Sequence, residues 1–177
     1  KIMMKNLFFL TLILLFVSCN YNLVYKWENY DESEEIKTNA SIENKRLQFK
    51  RIQSISNDKN QLINGFEREI FNFLENEYDL TKELVYEKSI PEIQQSVIDG
   101  KLTYYKLSLF YLTRIYLIEF DKESYLNSII SINKNILREA KNKDKIKNTN
   151  IYSLHGIPIL LKDNIGFKGL PTTAGAH

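Results

Sequence analysis

Cysteine, histidine, proline and glycine are all scarce in this sequence of 177 residues. It contains one Cys, two His, three Pro and six Gly. A single Cys excludes an internal disulfide framework, and so few Cys and His residues exclude a zinc site built from them. No glycine-rich phosphate-binding loop is present either, so we expect neither a metal nor an organic cofactor.

A strong excess of charge of one sign is also missing. The 24 Lys and Arg residues nearly balance the 22 Asp and Glu residues, which leaves a net charge of +2 and no basic field for nucleic acid. The lysines between Lys141 and Lys147 alternate with Asn and Asp144, a pattern more typical of a solvated helix end than of a nucleic-acid patch. With 44% apolar and 12% aromatic residues, the chain can form a folded domain or part of a larger one.

The N-terminus has the pattern of an export signal. Lysines precede the apolar run Leu7–Val17, in which Thr11 is the only polar residue. This run is shorter than the roughly 20 residues that a membrane-spanning helix needs, but it suits the apolar region of a signal peptide. We therefore predict a signal peptide at residues 1–18.

The end of the apolar run and the two residues after it resemble the lipobox of bacterial lipoproteins. They read Phe16-Val17-Ser18-Cys19. The resemblance implies lipidation of Cys19, export to the bacterial cell envelope and attachment to the membrane through acyl chains. An ordinary signal peptide and a retained anchor helix are the alternatives.

The composition then divides the remaining chain in two. Residues 19–60 are polar and show no sustained apolar period, which indicates a tether with a short helix around residues 47–55. Residues 61–177 contain the periodic apolar segments and are predicted to form the folded part. No internal repeat is visible.

Three helices are predicted in the first half of the folded part. Apolar residues at helical spacing from Leu62 to Leu74 indicate a surface helix. Ser89 and Glu92 form a capping-box motif that begins a second helix, and Gly100 ends it. A third, long and largely buried helix follows over residues 103–120, capped by Thr103 and containing Arg114, which needs a partner.

Two strands and one further helix are predicted next. The β-branched segment Ser128–Ile132 favours a strand, and Asn133 is a candidate cap for the helix that follows. The unbroken apolar run Ile157–Leu161 favours a strand buried on both faces. An exposed apolar segment without sheet neighbours is the alternative, and such a segment would be prone to aggregation.

Lys162 follows this second strand and is the candidate catalytic residue. Ligands usually bind at the carboxyl ends of strands in α/β sheets. A lysine acts as a base only when neutral, and apolar surroundings lower an ordinary lysine pKa of ~10.4 by as much as ~3 to 5 units. The side chains of Ile159–Leu161 would supply such surroundings, whereas a facing Asp163 carboxylate would oppose them. An ion pair between Lys162 and Asp163 in a turn remains the alternative.

Residues 154–176, LHGIPILLKDNIGFKGLPTTAGA, closely resemble the start of the amidase signature family. Members of that family read similarly as a hydrophobic strand, a Lys-Asp pair and a Pro-Thr-Thr-Ala-Gly turn. Residues 90–115 resemble the family's first helix pair, and residues 126–144 resemble its strand and following helix. The resemblance covers residues 89–176, with the motifs in the family's order.

The resemblance implies an α/β fold in which helices wrap a mixed sheet, this chain providing the leading helices and first strands. It also implies a Ser-Ser-Lys mechanism with Lys162 as the catalytic lysine, and small-molecule or peptide amides as substrates. The two serines of the family lie in a Gly/Ser-rich region that this sequence does not contain, and Ser153, Thr172 and Thr173 do not match them. His155 corresponds to the strand entry, and His177 stands where the family often has a small residue.

We therefore expect part of an exported amidase that is inactive without its serines. The alternative is a non-enzymatic, lipid-anchored helical lipoprotein that acts through interactions.

Overall fold

The computed structural model describes residues 26–48 and 58–174. Its regular elements within these ranges are α-helices and two short 3-10 helices, Lys45–Leu47 and Lys59–Leu62. The α-helices are α1 Ser33–Ala40, α2 Glu67–Asn76, α3 Tyr78–Val85, α4 Ile90–Ile98, α5 Tyr104–Glu119 and α6 Ile136–Asp144. The predicted signal peptide at 1–18, Cys19 and most of the predicted helix at 47–55 lie outside the described residues.

The predicted α/β fold with a mixed sheet is wrong for the part of the chain that the structure describes, because that part contains no strand. Ser128–Ile132 and Ile157–Leu161 have no regular secondary structure. A β-branched or apolar run favours an extended backbone, but a strand also needs a second backbone as hydrogen-bonding partner. Here Ile129, Ile132 and Ile157 pack against helices instead.

The predicted helix boundaries around α4 and α5 are confirmed. The Glu92 carboxylate accepts hydrogen bonds from the Ser89 hydroxyl at 2.6 Å and from the Ser89 backbone N–H at 2.8 Å. These bonds hold the pKa of Glu92 below its ordinary value. Gly100 follows α4 with a φ of +73°, and the Thr103 hydroxyl accepts from the Lys106 N–H at the start of α5.

Helix α5 is the centre of the fold and packs against α2, α3 and α6. As predicted, it is largely buried, and Arg114 finds its partner in the ring of Tyr86, 5.1 Å away. Two apolar clusters lie along it. Around its first half are Phe73, Val85, Ile93, Leu102, Tyr104, Leu107, Leu109, Phe110 and Ala140. Around its second half are Leu62, Ile63, Phe66, Ile70, Leu112, Tyr116 and Phe120.

The end of α6 is fastened to the beginning of α5. The carboxylate of Asp144 accepts the backbone N–H groups of Tyr104 at 2.7 Å and Tyr105 at 3.1 Å. These are amides of the first helical turn, which have no partner within the helix. At its other end α6 begins after Asn135 rather than after Asn133. The Asn133 side chain accepts from the Asn135 N–H in the preceding turn.

Residues before the predicted folded part also contact it. Trp27 packs edge-on against Tyr125, with ring centroids 4.7 Å apart, and exchanges two hydrogen bonds with Asn60, another residue of the predicted tether, from the Trp27 N–H at 2.8 Å and to the Trp27 carbonyl at 2.9 Å. The Lys59 ammonium lies between two rings, 4.1 Å from the centroid of Trp27 and 4.3 Å from that of Tyr125. The predicted tether therefore includes residues that pack on the helical body. No helix in the described ranges has the length and apolarity needed to cross a membrane.

Lys59 also forms an ion pair with Glu119, at the C-terminal end of α5. Nζ lies 3.2 Å from Oε2, and the exposures of the two residues are only 8% and 1%. The other carboxylate oxygen of Glu119 accepts the Ser128 N–H and hydroxyl. Burial alone would raise the pKa of Glu119, but the hydrogen bonds from Ser128 and the nearby Lys59 ammonium hold it below its ordinary value.

We predict that Glu119→Gln lowers the free energy of unfolding by about 3 kcal/mol near neutral pH, because it leaves the Lys59 ammonium buried without its counter-charge. A depressed carboxyl pKa contributes stability above the ordinary value of ~4.3, and that contribution is lost as the pH falls through the folded-state value. The difference between wild type and variant should therefore shrink in acid. Urea unfolding at several pH values measures it.

The matched control is Glu123→Gln, which removes an exposed carboxylate from the neighbouring loop. It should change stability by less than about 0.5 kcal/mol. A Glu119→Gln variant as stable as this control would contradict a role for the buried pair.

Candidate functional site

The segment that leads to Lys162 is attached to the helices through Gln94 of α4. This side chain is fully buried. Its Nε2 donates to the backbone carbonyls of Ser153 at 2.7 Å and His155 at 2.9 Å. Its Oε1 accepts the Tyr104 hydroxyl at 2.7 Å and the Asn148 amide at 3.2 Å. A side chain from α4 thus fixes a backbone segment about 60 residues later in the chain.

Gly156 sits directly on the ring of Tyr104. A Cβ added at this position would lie 2.3 Å from Tyr104 Cγ, and φ is +73°. Both the close approach and the left-handed backbone require glycine. The neighbouring His155 packs its ring edge-on against Tyr104, with centroids 5.4 Å apart, and His155 Nε2 lies 3.3 Å from the Lys143 carbonyl. His155 therefore serves the packing of this segment.

Beyond Gly156 the chain leaves the helical body. Ile157 is half-buried against the first apolar cluster, but Ile159 and Leu160 are 65% and 76% exposed. The prediction that this run is a strand buried on both faces is therefore wrong, since no neighbouring sheet covers it among the described residues. Lys162 follows it and is itself exposed. The described residues do not provide the apolar surroundings that we expected around this amine.

Asp163 closes the loop that follows Lys162. Its carboxylate accepts the backbone N–H of Thr173 at 3.0 Å, as well as the Thr173 hydroxyl. The Asp163 carbonyl accepts the Ala174 N–H at 3.4 Å. The Lys-Asp pair and the Pro-Thr-Thr turn are therefore the two ends of one closed loop.

Sequence reasoning missed this role of Asp163, which it treated only as a neighbour of the lysine. The sequence did contain a signal for this contact. An acidic residue at one end of a Gly-rich loop can accept hydrogen bonds from threonines at the other end. The structure thus brings Asp163 and Thr173 together beside Lys162. It places Ser153 elsewhere, where its hydroxyl accepts the His155 N–H. Cys19 and His177 lie outside the described residues.

The site is thus a lysine on an exposed loop, held at one end by a buried glutamine and closed by an aspartate. In the described ranges, no group of three or more His, Cys, Asp or Glu side chains is placed to hold a metal ion.

The segment that carries this loop matches a known protein family. Residues 111–177 match the family model described as Amidase. The matched range contains most of α5, all of α6, Lys162, Asp163 and the turn at 171–174. The resemblance inferred from the sequence is therefore confirmed over this range. No curated protein and no solved structure shows significant similarity to the chain.

We predict that Gly156→Ala destabilises the protein by more than about 2 kcal/mol, because the added Cβ collides with the buried Tyr104 ring in addition to straining the backbone. Thermal or urea unfolding measures the loss.

Gly169→Ala is the matched control for this substitution. Gly169 has a similar φ of +89° but nothing within 4 Å of an added Cβ, so it shares the backbone strain without the collision. Equal losses in the two variants would show that the contact with Tyr104 does not constrain Gly156.

Proposed function

We propose that this chain supplies the lysine of an amidase that hydrolyses amide bonds by a Ser-Ser-Lys mechanism. The observation that carries the proposal is the position of Lys162, which stands on a fixed loop inside the range that matches the amidase family. Amide hydrolysis is the activity of that family, whereas the mechanism and the identity of the lysine in this chain are our proposal.

In this mechanism Lys162 acts as the base. The neutral amine takes a proton from a first serine, which takes the proton of a second serine, and the oxygen of the second serine attacks the amide carbonyl. Backbone N–H groups near the attacking serine stabilise the negative charge on the carbonyl oxygen. We propose that a Gly/Ser-rich region of the complete enzyme supplies both serines; residues 1–177 contain no such region.

The exposure of Ile159–Leu161 supports a further contact of this kind. A run of large apolar side chains in solvent is typical of a surface that another part of the protein covers. Covering this run would also remove water from around Lys162, and a drier environment favours the neutral form of an amine. The same contact would therefore place the serines near Lys162 and favour the neutral form of its amine.

The substrates we propose are small-molecule or peptide amides, acted on outside the cytoplasm. The signal pattern at residues 1–18 supports export, and the Cys that follows it supports attachment to the membrane by lipid.

We predict that Lys162→Ala lowers kcat/KM for amide hydrolysis at least about a hundredfold, since general bases typically contribute 10²–10⁴-fold. The assay uses the protein extended through its serines, with a panel of primary amides and dipeptide amides and ammonia or amine release as the readout. Lys168→Ala, which removes an exposed lysine from the same loop, is the control and should leave kcat/KM unchanged.

Full activity in the Lys162→Ala variant would remove the proposed mechanism. An extended wild-type protein that hydrolyses none of the amides would favour the alternative, a lipid-anchored helical lipoprotein without enzymatic activity.

For the anchor, we predict that cells expressing the protein with a radiolabelled fatty acid incorporate label at Cys19 and retain the protein in the membrane fraction. Cys19 is the only cysteine, so Cys19→Ser should abolish labelling and release the protein. Labelling that persists in Cys19→Ser, or its absence from the wild type, would refute lipidation at this position.

A further inference from the structure

Gln94 uses its entire hydrogen-bonding capacity in one place. A glutamine side chain has two N–H donors and one carbonyl oxygen with two lone pairs. Here both donors go to the carbonyls of Ser153 and His155, and the oxygen accepts from Tyr104 and Asn148. With all four interactions made inside the protein, the amide has a single satisfied orientation.

Tyr104 and Asn148 determine which end of the amide faces the Lys162 segment. Both donate to Oε1, so Nε2 is directed at the two carbonyls. With the amide reversed, its oxygen would face two carbonyl oxygens, and these two partly buried backbone acceptors would lose their donor. Such buried unsatisfied groups are costly.

Gln94 and the Asp163–Thr173 contact hold this region in different ways. The Asp163–Thr173 contact joins the two ends of the same loop, whereas Gln94 joins the chain ahead of that loop to helix α4. Ile159 and Leu160, which lie between Gly156 and Lys162, are exposed. The direction in which the chain leaves the helical body is therefore set at Ser153–Ile157, where Gln94 holds it.

We infer that Gln94 is a positioning residue for Lys162: its buried amide fixes the backbone from which the lysine-bearing segment departs. This inference rests on the proposed function for its catalytic consequence, since Gln94 does not touch the reacting atoms. Its structural part concerns this chain alone.

The experiment compares Gln94→Met with Gln95→Met. Methionine keeps the volume of the glutamine but provides none of its four hydrogen bonds. Gln95 is the next residue of the same helix, is exposed and bonds only to Asp99 among the contacts described for its side chain. Tyr104→Phe is a milder second variant, because it keeps the ring beneath Gly156 and removes only the hydroxyl, which donates to Gln94 Oε1 at 2.7 Å and accepts from the Asn148 amide at 3.4 Å.

The first readout is amide hydrogen exchange in this chain. The N–H groups of His155 and Ile157 are hydrogen-bonded within the held segment, to Ser153 Oγ and the Leu154 carbonyl. In Gln94→Met they should exchange at least about tenfold faster relative to the amides of α2, given the cost of unsatisfied buried carbonyls. Tyr104→Phe should show a smaller change in the same direction, and Gln95→Met none. The amides of α2 serve as reference, because general destabilisation would speed them equally.

The second readout is catalysis by the protein extended through its serines. Gln94→Met should lower kcat about tenfold and leave KM within about twofold, because a misdirected base impairs the chemical step more than substrate binding. Gln95→Met should match the wild type in both constants.

The outcomes separate this inference from the proposed function. Unchanged relative exchange at His155 and Ile157 in Gln94→Met would overturn the inference. So would wild-type kcat in Gln94→Met when Lys162→Ala is inactive. A fully active Lys162→Ala variant would instead overturn the proposed function, and with it the catalytic part of the inference, while the exchange readout would still decide whether Gln94 holds the segment.

Discussion

Three parts of this structure contact Tyr104. Its backbone N–H is capped by Asp144 at the end of α6, its hydroxyl bonds to Gln94 of α4, and its ring lies beneath Gly156. The first residue of the central helix therefore fixes a second helix, a third helix and the segment that leads to Lys162. Because the ring is buried in the first apolar cluster, none of these contacts can shift without disturbing the core.

In the described residues, Lys162 is carried by a loop on a helical body and not by the end of a strand in a sheet. Helices and strands differ in where their backbone hydrogen-bonding partners come from. Helices satisfy their backbone groups internally, so each helix here forms within its own segment. A strand needs another strand beside it, and the segments with strand-like composition have no such neighbour among the described residues. Their apolar side chains pack on helices at Ile129, Ile132 and Ile157, or stay in solvent as at Leu160.

The local chemistry of helix ends could be predicted from sequence, and the tertiary contacts could not. Ser89, Glu92, Gly100 and Thr103 define α4 and α5 through interactions within a few residues, which spacing alone reveals. Lys162 was selected as a candidate from the strand expected before it and from the resemblance of its neighbours to a family, and the match over residues 111–177 confirms the resemblance alone. The bonds from Gln94 to Ser153 and His155 span about 60 residues, and no periodicity links such distant positions. The burial of Ile157–Leu161 failed as a prediction because an apolar run does not specify what covers it.

The contact between Trp27 and Lys59 lies at the end of α5 opposite to the contacts of Tyr104. Lys59 pairs with Glu119 at one end of α5, and Gly156 rests on Tyr104 at the other. Tyr104 and Glu119 are the first and last of the 16 residues of the helix, so they are separated by about 22 Å along it at ~1.5 Å per residue. The segment at Trp27 and the segment that leads to Lys162 are thus attached at opposite ends of one helix, and the length of α5 sets the spacing between their two attachment points.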